Sequence, residues 1–314
     1  MLRGLRLSAK PRVQIFLGHT LLRASYAVPR RAEIVIEGTE NVPKDRTVFF
    51  AMNHTDRYNY WPFQYGMWKR GLRFTATWVK GKYFENPWMR RFMIATNNIP
   101  LPSRGYVIST GFRDAERRAP DAAEYRVLRD LADGVAGDAE VAVASDAVKR
   151  FIAGGGLLRF EETFRFMMGE IVRLNRDALF KLGLDVLVFP EGTRSIRLAK
   201  GHTGLAQMSQ ALGVTIVPVG CNGSHRLYPG GSPWASGGRV VYRIGTPLTP
   251  DGPELGPLRV HEAFEPMVPG AMRTHGERFK KITDLVMSRI ESLLDPDHRP
   301  GEGAGGTREM DRFL

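Results

Sequence analysis

Two places in the chain set chemically able side chains directly behind an apolar run. After "TVFFAM" (47–52) comes "NHTDRYN" (53–59), where His54 is followed by Asp56 and Asn59. After "DVLVF" (185–189) comes "PEGTRS" (190–195), which carries Glu191, Gly192, Thr193 and Arg194. A neutral imidazole can take a proton from a hydroxyl near neutral pH. Glycine lets the backbone approach a ligand closely, and the planar arginine fork suits phosphate. Together these groups offer a base and a fork for an anion, although a Glu-Gly-Thr-Arg run can also be a plain turn. Two more stretches join them. "NNIPLPSRG" (97–105) presents Arg104 behind two prolines, and "VTIVPVG" (214–220) is strand-like with Pro218 inside it. Proline cannot donate to a sheet ladder, so Pro218 points to an edge or a bulge.

The elements that must position these groups alternate. "AEIVIEG", "TVFFAM", "RFTATWV", "DVLVFPEG", "VTIVPVG" and "RVVYRIG" are short, rich in β-branched or aromatic residues, and bounded by Gly, Pro or Asn, as strands are. Between them "NPWMRRFMIAT" reads as a helix opened by Pro87, and "TGLAQMSQAL" as one running into Gly213. This order predicts an α/β fold with a mixed, mostly parallel sheet flanked by helices, its function in loops at strand ends. From about 105 to 183 the sequence turns charged and helical, a helical insertion with Gly154 to Gly156 as a joint. The expected domains are a basic amphipathic segment over 1–32, a main domain over 33–295 holding that insertion, and a disordered tail over 296–314. A last amphipathic helix, "RTHGERFKKITDLVMSRIESLLD", stops before Pro296.

The chain of 314 residues carries a formal charge of +12, which favours an anionic partner: nucleic acid, acidic lipid or a phosphorylated substrate. No nucleic-acid recognition motif accompanies the charge. One cysteine, Cys221, excludes an intramolecular disulfide and fits a reducing compartment. The first 32 residues hold seven basic residues and no acidic one around "VQIFLGHTLL", a run too short to span a bilayer. Two readings stand for it: a basic helix packed on the body, or an interfacial helix in which Ile15, Phe16, Leu17, Leu21 and Leu22 enter the headgroup boundary.

Taken in order, "NHTDRYN", "IPLPSR", "FPEGTRS" and "IVPVG" resemble the four sequence blocks of the glycerolipid acyltransferases, the family of glycerol-3-phosphate and 1-acylglycerol-3-phosphate acyltransferases. The resemblance covers roughly residues 35 to 250 apart from the insertion, and "FPEGTRS" is its most specific part. It implies an O-acyltransferase of phospholipid biosynthesis, moving a fatty acyl group from acyl-CoA or acyl carrier protein to a hydroxyl of a lysophosphatidic acid-like acceptor. It implies His54 as general base, and Arg104, Glu191, Gly192, Thr193 and Arg194 at the acceptor's phosphate. Val217, Pro218 and Val219 would lie on the acyl side. Lys200, a cation just past the loop, is a further candidate for the phosphate or coenzyme pocket. No cofactor is implied, and no cluster in the sequence has convincing metal-ligand spacing. The substrates are lipids, so the expected place is the cytoplasmic face of a membrane, peripheral or monotopic, with no transmembrane helix.

One position departs from the family. Five residues after the histidine the family has an aspartate, and here stands Asn59. Three readings follow: Asn59 holds the ring without a charge, Asp56 takes the role from two positions away, or the scaffold binds lipid without catalysis. Asp56 has a structural alternative as the cap of the helix that follows. The aromatic run "YNYWPFQYGMW" can be core, or Trp61, Phe63 and Trp68 can wall an acyl groove or rest at a lipid interface. His202 and His225 lie downstream of the third and fourth blocks and read as surface or structural histidines.

Overall fold

The computed structural model describes residues 4–301. Seven strands form one sheet: β1 Ala32–Glu37, β2 Phe49–Met52, β3 Thr75–Lys80, β4 Asn98–Leu101, β5 Asp185–Val188, β6 Ile216–Asn222 and β7 Gly238–Ile244. Their order across the sheet is β1-β7-β6-β2-β5-β3-β4, and every pair is parallel except β6 with β7. All six runs read as strands become strands. The seventh, β4, escaped sequence reading because it is four residues long and contains Pro100. It lies at the sheet edge, where a missing donor costs least.

The central strands are apolar at every position because both sheet faces are covered. Phe49 and Ala51 of β2 join Val186, Val188 and Ile216 on one face, while Phe50 and Met52 join Leu187, Val217 and Val219 on the other. The first face packs on the insertion helices and the helix Pro269–Ser292, through Phe164, Met168, Phe279 and Ile282. The second packs on the helix Tyr60–Lys69, through Phe63 and Met67. Pro218 sits inside the sheet at an interruption of the ladder. Ile216 pairs with Leu248 and Val219 with Ile244, so three residue steps on β6 face four on the other chain. A bulge there spares the donor that proline lacks.

The insertion is built from the helices Arg104–Glu116, Ala122–Ala132, Asp138–Ala142, Asp146–Ala153 and Gly156–Arg176. Gly155, at φ 74, makes the turn between the last two. These helices share the core of the sheet's first face, and Trp78 Nε1 of β3 donates to Asn175 Oδ1 at 2.9 Å. At the N-terminus the helical stretches Arg12–Leu17, Gly18–Leu22 and Arg23–Ser25 follow one another, with Gly18 set against the Trp68 ring. The segment packs on the helix Tyr60–Lys69, and Phe16 stays 65% exposed. Among the described residues no helix is long and apolar enough to cross a membrane.

The first residues of the expected tail over 296–314 are packed on the body. His298 is buried, donates from Nδ1 to Ile196 O at 2.8 Å and accepts at Nε2 from Gly223 N at 3.0 Å. Residues 302–314 lie outside the described residues.

Candidate active site

The C-terminal ends of adjacent parallel strands gather the polar groups, as open α/β sheets require. β2 delivers His54, its neighbour β5 delivers the loop with Arg194, and β3, beside β5, ends in Lys80. Asn53 fixes the end of β2 to β6, donating to Cys221 O at 3.0 Å and accepting from Cys221 N at 2.7 Å. The 189–202 loop folds onto the histidine through backbone groups. Ser195 N donates to His54 O at 2.8 Å, and the Phe189 ring stacks on the imidazole with centroids 4.0 Å apart. Glu191, wholly buried, accepts from His54 N at 2.6 Å and from Ala199 N at 2.8 Å. Its carboxylate therefore ties both ends of the site together, both oxygens engaged by backbone N–H groups, whereas the resemblance implied a place at the acceptor's phosphate. Burial pushes it up to about 7, against those two N–H groups.

The ring of His54 is held by Asn59. His54 Nδ1 lies 3.0 Å from Asn59 Oδ1, and Asn59 Nδ2 donates to Asn53 O at 2.8 Å, which leaves the amide oxygen for the ring. Nδ1 therefore carries the proton and Nε2 the lone pair. Nε2 makes no hydrogen bond with the described residues. Asn59 is itself wholly buried, and the Tyr242 hydroxyl donates to its carbonyl at 2.6 Å. Asp56 is engaged elsewhere: it accepts from Tyr58 N at 2.8 Å and from the Thr55 hydroxyl at 2.9 Å, closing the turn before the helix. The contact expected of either residue is made by Asn59.

Burial lowers the imidazole to about 4, partly offset by the Asn59 bond and helped by the charges of Arg194 and Lys80. The residue is mostly buried, with the Phe189 ring against one face of the imidazole. Arg194 and Lys80 are exposed and make no ion pair among the described residues. Partial burial and the neighbouring Lys82 and Arg194 also draw Lys80 down. Two uncommitted cations beside a histidine offer a seat for an anionic group. Lys80 was missed in the sequence although it carries the same signal as His54, a polar group at the end of an apolar strand.

The other candidates divide. Gly192, Thr193 and Lys200 are exposed on the same loop, with Gly192 at φ 63 and against His202. His225 lies beside His298, with ring centroids 5.1 Å apart. Arg104 goes elsewhere. It is 6% exposed, pairs with Asp133 at 3.0 Å, donates to Ala132 O and lies over Phe160 and Phe164. Its fork is consumed in joining the insertion helices, and no contact brings it to His54. Val217, Pro218 and Val219 are buried within β6 and present no surface to an acyl chain. Among the described residues no group of His, Cys, Asp and Glu is placed to hold a metal ion.

Residues 147–222 match the family model described as Acyltransferase. The matched stretch runs from the insertion through β5 and the 190–195 loop to the end of β6, so it contains "FPEGTRS" and "IVPVG", and His54 precedes it. No curated protein matches the chain in sequence. Among solved structures, the chain is similar to the crystal structure of the 1-acyl-sn-glycerophosphate (LPA) acyltransferase PlsC from Thermotoga maritima. Identity is 17%, the match covers 88% of this chain and 80% of that one, and the TM-score is 0.45.

Proposed function

We propose that this chain transfers an acyl group from a thioester, acyl-CoA or acyl carrier protein, to a hydroxyl of a phosphorylated lysolipid or glycerol acceptor. The observation that carries the reading is His54: its Nδ1 is held by Asn59, its Nε2 is uncommitted, and Arg194 and Lys80 lie close enough to act on its charge. An acceptor phosphate seated between those cations brings its hydroxyl to Nε2. Nε2 takes the hydroxyl proton while the oxygen attacks the thioester carbonyl. The tetrahedral intermediate then collapses, breaking the carbon–sulfur bond, and the imidazolium returns the proton to the departing thiolate. Glu191 serves by holding the His54 backbone. Thr193 and Lys200 are exposed on the same loop and are offered to the phosphate or the coenzyme.

The lipid substrates place the chain on a membrane. Phe16 and Leu21 are exposed on the N-terminal segment, and Trp88, Met89 and Phe92 on the helix Pro87–Ala95 packed beside it, with Arg90 and Arg91 among them. Aromatic side chains with interleaved cations suit an anionic bilayer surface. Labelled acyl-CoA incubated with a panel of lysolipids tests the function: a labelled diacyl product supports it. Vesicle binding without any product would favour a non-catalytic lipid-binding scaffold, the reading to which the missing charge at Asn59 lends weight.

A further inference from the structure

The loop that carries Arg194 is held from two sides. From within the site, Glu191 Oε2 accepts from Ala199 N and His54 O accepts from Ser195 N, both at 2.8 Å. Between those two anchors lie Ile196, Arg197 and Leu198. Ile196 is 51% exposed and Arg197 is exposed as well, so of these three only Leu198 is anchored by a buried side chain. The backbone of the stretch is taken instead by one residue, 102 positions beyond Ile196 in the chain. His298 Nδ1 donates to Ile196 O at 2.8 Å, and Leu198 N donates to His298 O at 2.8 Å. The side chain and the carbonyl of a single histidine thus bracket Arg197.

That histidine is fixed to the sheet. It is buried in the short turn Pro296–His298, although Pro296, Asp297 and Arg299 around it are exposed. Its Nε2 accepts from Gly223 N at 3.0 Å, directly after β6, so the ring keeps its proton on Nδ1 for Ile196. The His225 ring stands edge-on to it. One step earlier in the chain, Asn222 Oδ1 of β6 accepts from Asp295 N at 2.7 Å, and Asp295 pairs with Arg243 of β7 at 2.8 Å. The turn is therefore pinned to β6 and β7 before it reaches the loop. One imidazole, both nitrogens engaged, joins the end of β6 to the loop after β5.

We propose that His298 is a positioning residue: it fixes the 196–198 backbone and thereby holds Arg194, two residues before Ile196, at the acceptor's phosphate. The role rests on the acyl-transfer reading, but the hold on the loop is measurable without turnover. Without the imidazole Ile196 O loses its donor, while Glu191 still holds the His54 backbone, so the loss falls on acceptor binding. In His298→Ala the KM for a phosphorylated lysolipid rises about tenfold, the worth of one net hydrogen bond, while kcat and the KM for acyl-CoA stay within about threefold. His298→Asn, whose amide nitrogen reaches the place of Nδ1, restores most of the acceptor KM. His298→Gln, whose amide reaches the place of Nε2 and so Gly223, does not restore it, and this variant keeps the test open if His298→Ala does not fold. A merely structural role would lower the active fraction, so kcat would fall with KM unchanged; that result, or equal KM values in the Asn and Gln variants, overturns the proposal. Amide hydrogen exchange without substrate reads the loop directly. Exchange at Ser195 and Leu198 is faster in His298→Ala and His298→Gln than in the unaltered chain or His298→Asn, and equal rates in all four overturn the proposal. Absence of transfer by the unaltered chain sinks the acyl-transfer reading, and the exchange rates then decide by themselves whether His298 holds the loop.

Discussion

Asn59 grips the ring nitrogen that an aspartate would grip, but it brings no charge. Its amide nitrogen faces the carbonyl of Asn53 at 2.8 Å, a place where a second carboxylate oxygen would be repelled. The imidazole therefore sits at about 4 rather than near its ordinary 6.5, with burial as the main cause and Arg194 and Lys80 adding to it. A base with that value is neutral across the working range, so the acid limb of kcat/KM is expected near pH 4; a limb near 6.5 would show a ring carrying an ordinary pKa. The same shift has a sign in stability. Between about 4 and 6.5 the unfolded chain holds a proton on His54 that the folded chain does not, so this contribution rises with pH and is lost as pH falls through the window. The stability difference between the chain and its His54→Ala variant should show that slope in urea titrations. Replacing Asn59 by Ala frees the ring and is expected to lower kcat by about 10² or more. Asp56→Asn keeps an acceptor for Tyr58 N, so a change within about threefold is expected; a larger loss with Asp56→Asn than with Asn59→Ala would reverse the assignment.

At the level of elements, the loop after β5 is fastened to the end of β2 by one buried carboxylate. Glu191→Ala strands the N–H groups of His54 and Ala199, and a loss of about 2–5 kcal/mol is expected in chemical denaturation, together with falling activity. Gly192 stands at φ 63, and an added Cβ would meet His202 Cδ2 at 2.9 Å, so Gly192→Ala should displace the loop and raise the KM for the acceptor. The strand and helix pattern was legible because burial on both faces writes itself as unbroken apolar runs, and because Pro87 and Gly213 mark helix ends. The partnership of β2 and β5 ends was legible too, as two polar clusters behind two such runs. Other parts of the site were not. Nothing local in "IPLPSRG" shows that Arg104 will be taken by Ala132 and Asp133, since those contacts are made at the end of the helix Ala122–Ala132, the first of them 28 residues further on. Glu191 looks like a substrate ligand in sequence because its two partners are backbone groups, which sequence does not display.

For the whole molecule, one group of apolar side chains left in solvent lies on the N-terminal segment and the helix beside it, Phe16 and Leu21 with Trp88, Met89 and Phe92. Phe16 is 65% exposed and Trp88 76% exposed. Replacing both by serine is expected to weaken binding to anionic vesicles by about tenfold while leaving the melting temperature in place. Unchanged flotation with vesicles would move the membrane face elsewhere. The charge of +12 adds a salt dependence to that binding, which should fall as ionic strength rises. On the proposed membrane docking, the cationic ends of β3 and β5 are the groups offered to a lipid headgroup. The most direct measurement is transfer from labelled acyl-CoA to a phosphorylated lysolipid by the His54→Ala variant. The expected result is a fall of about 10² or more in kcat with the fold intact. Undiminished transfer by that variant would contradict the role given to His54.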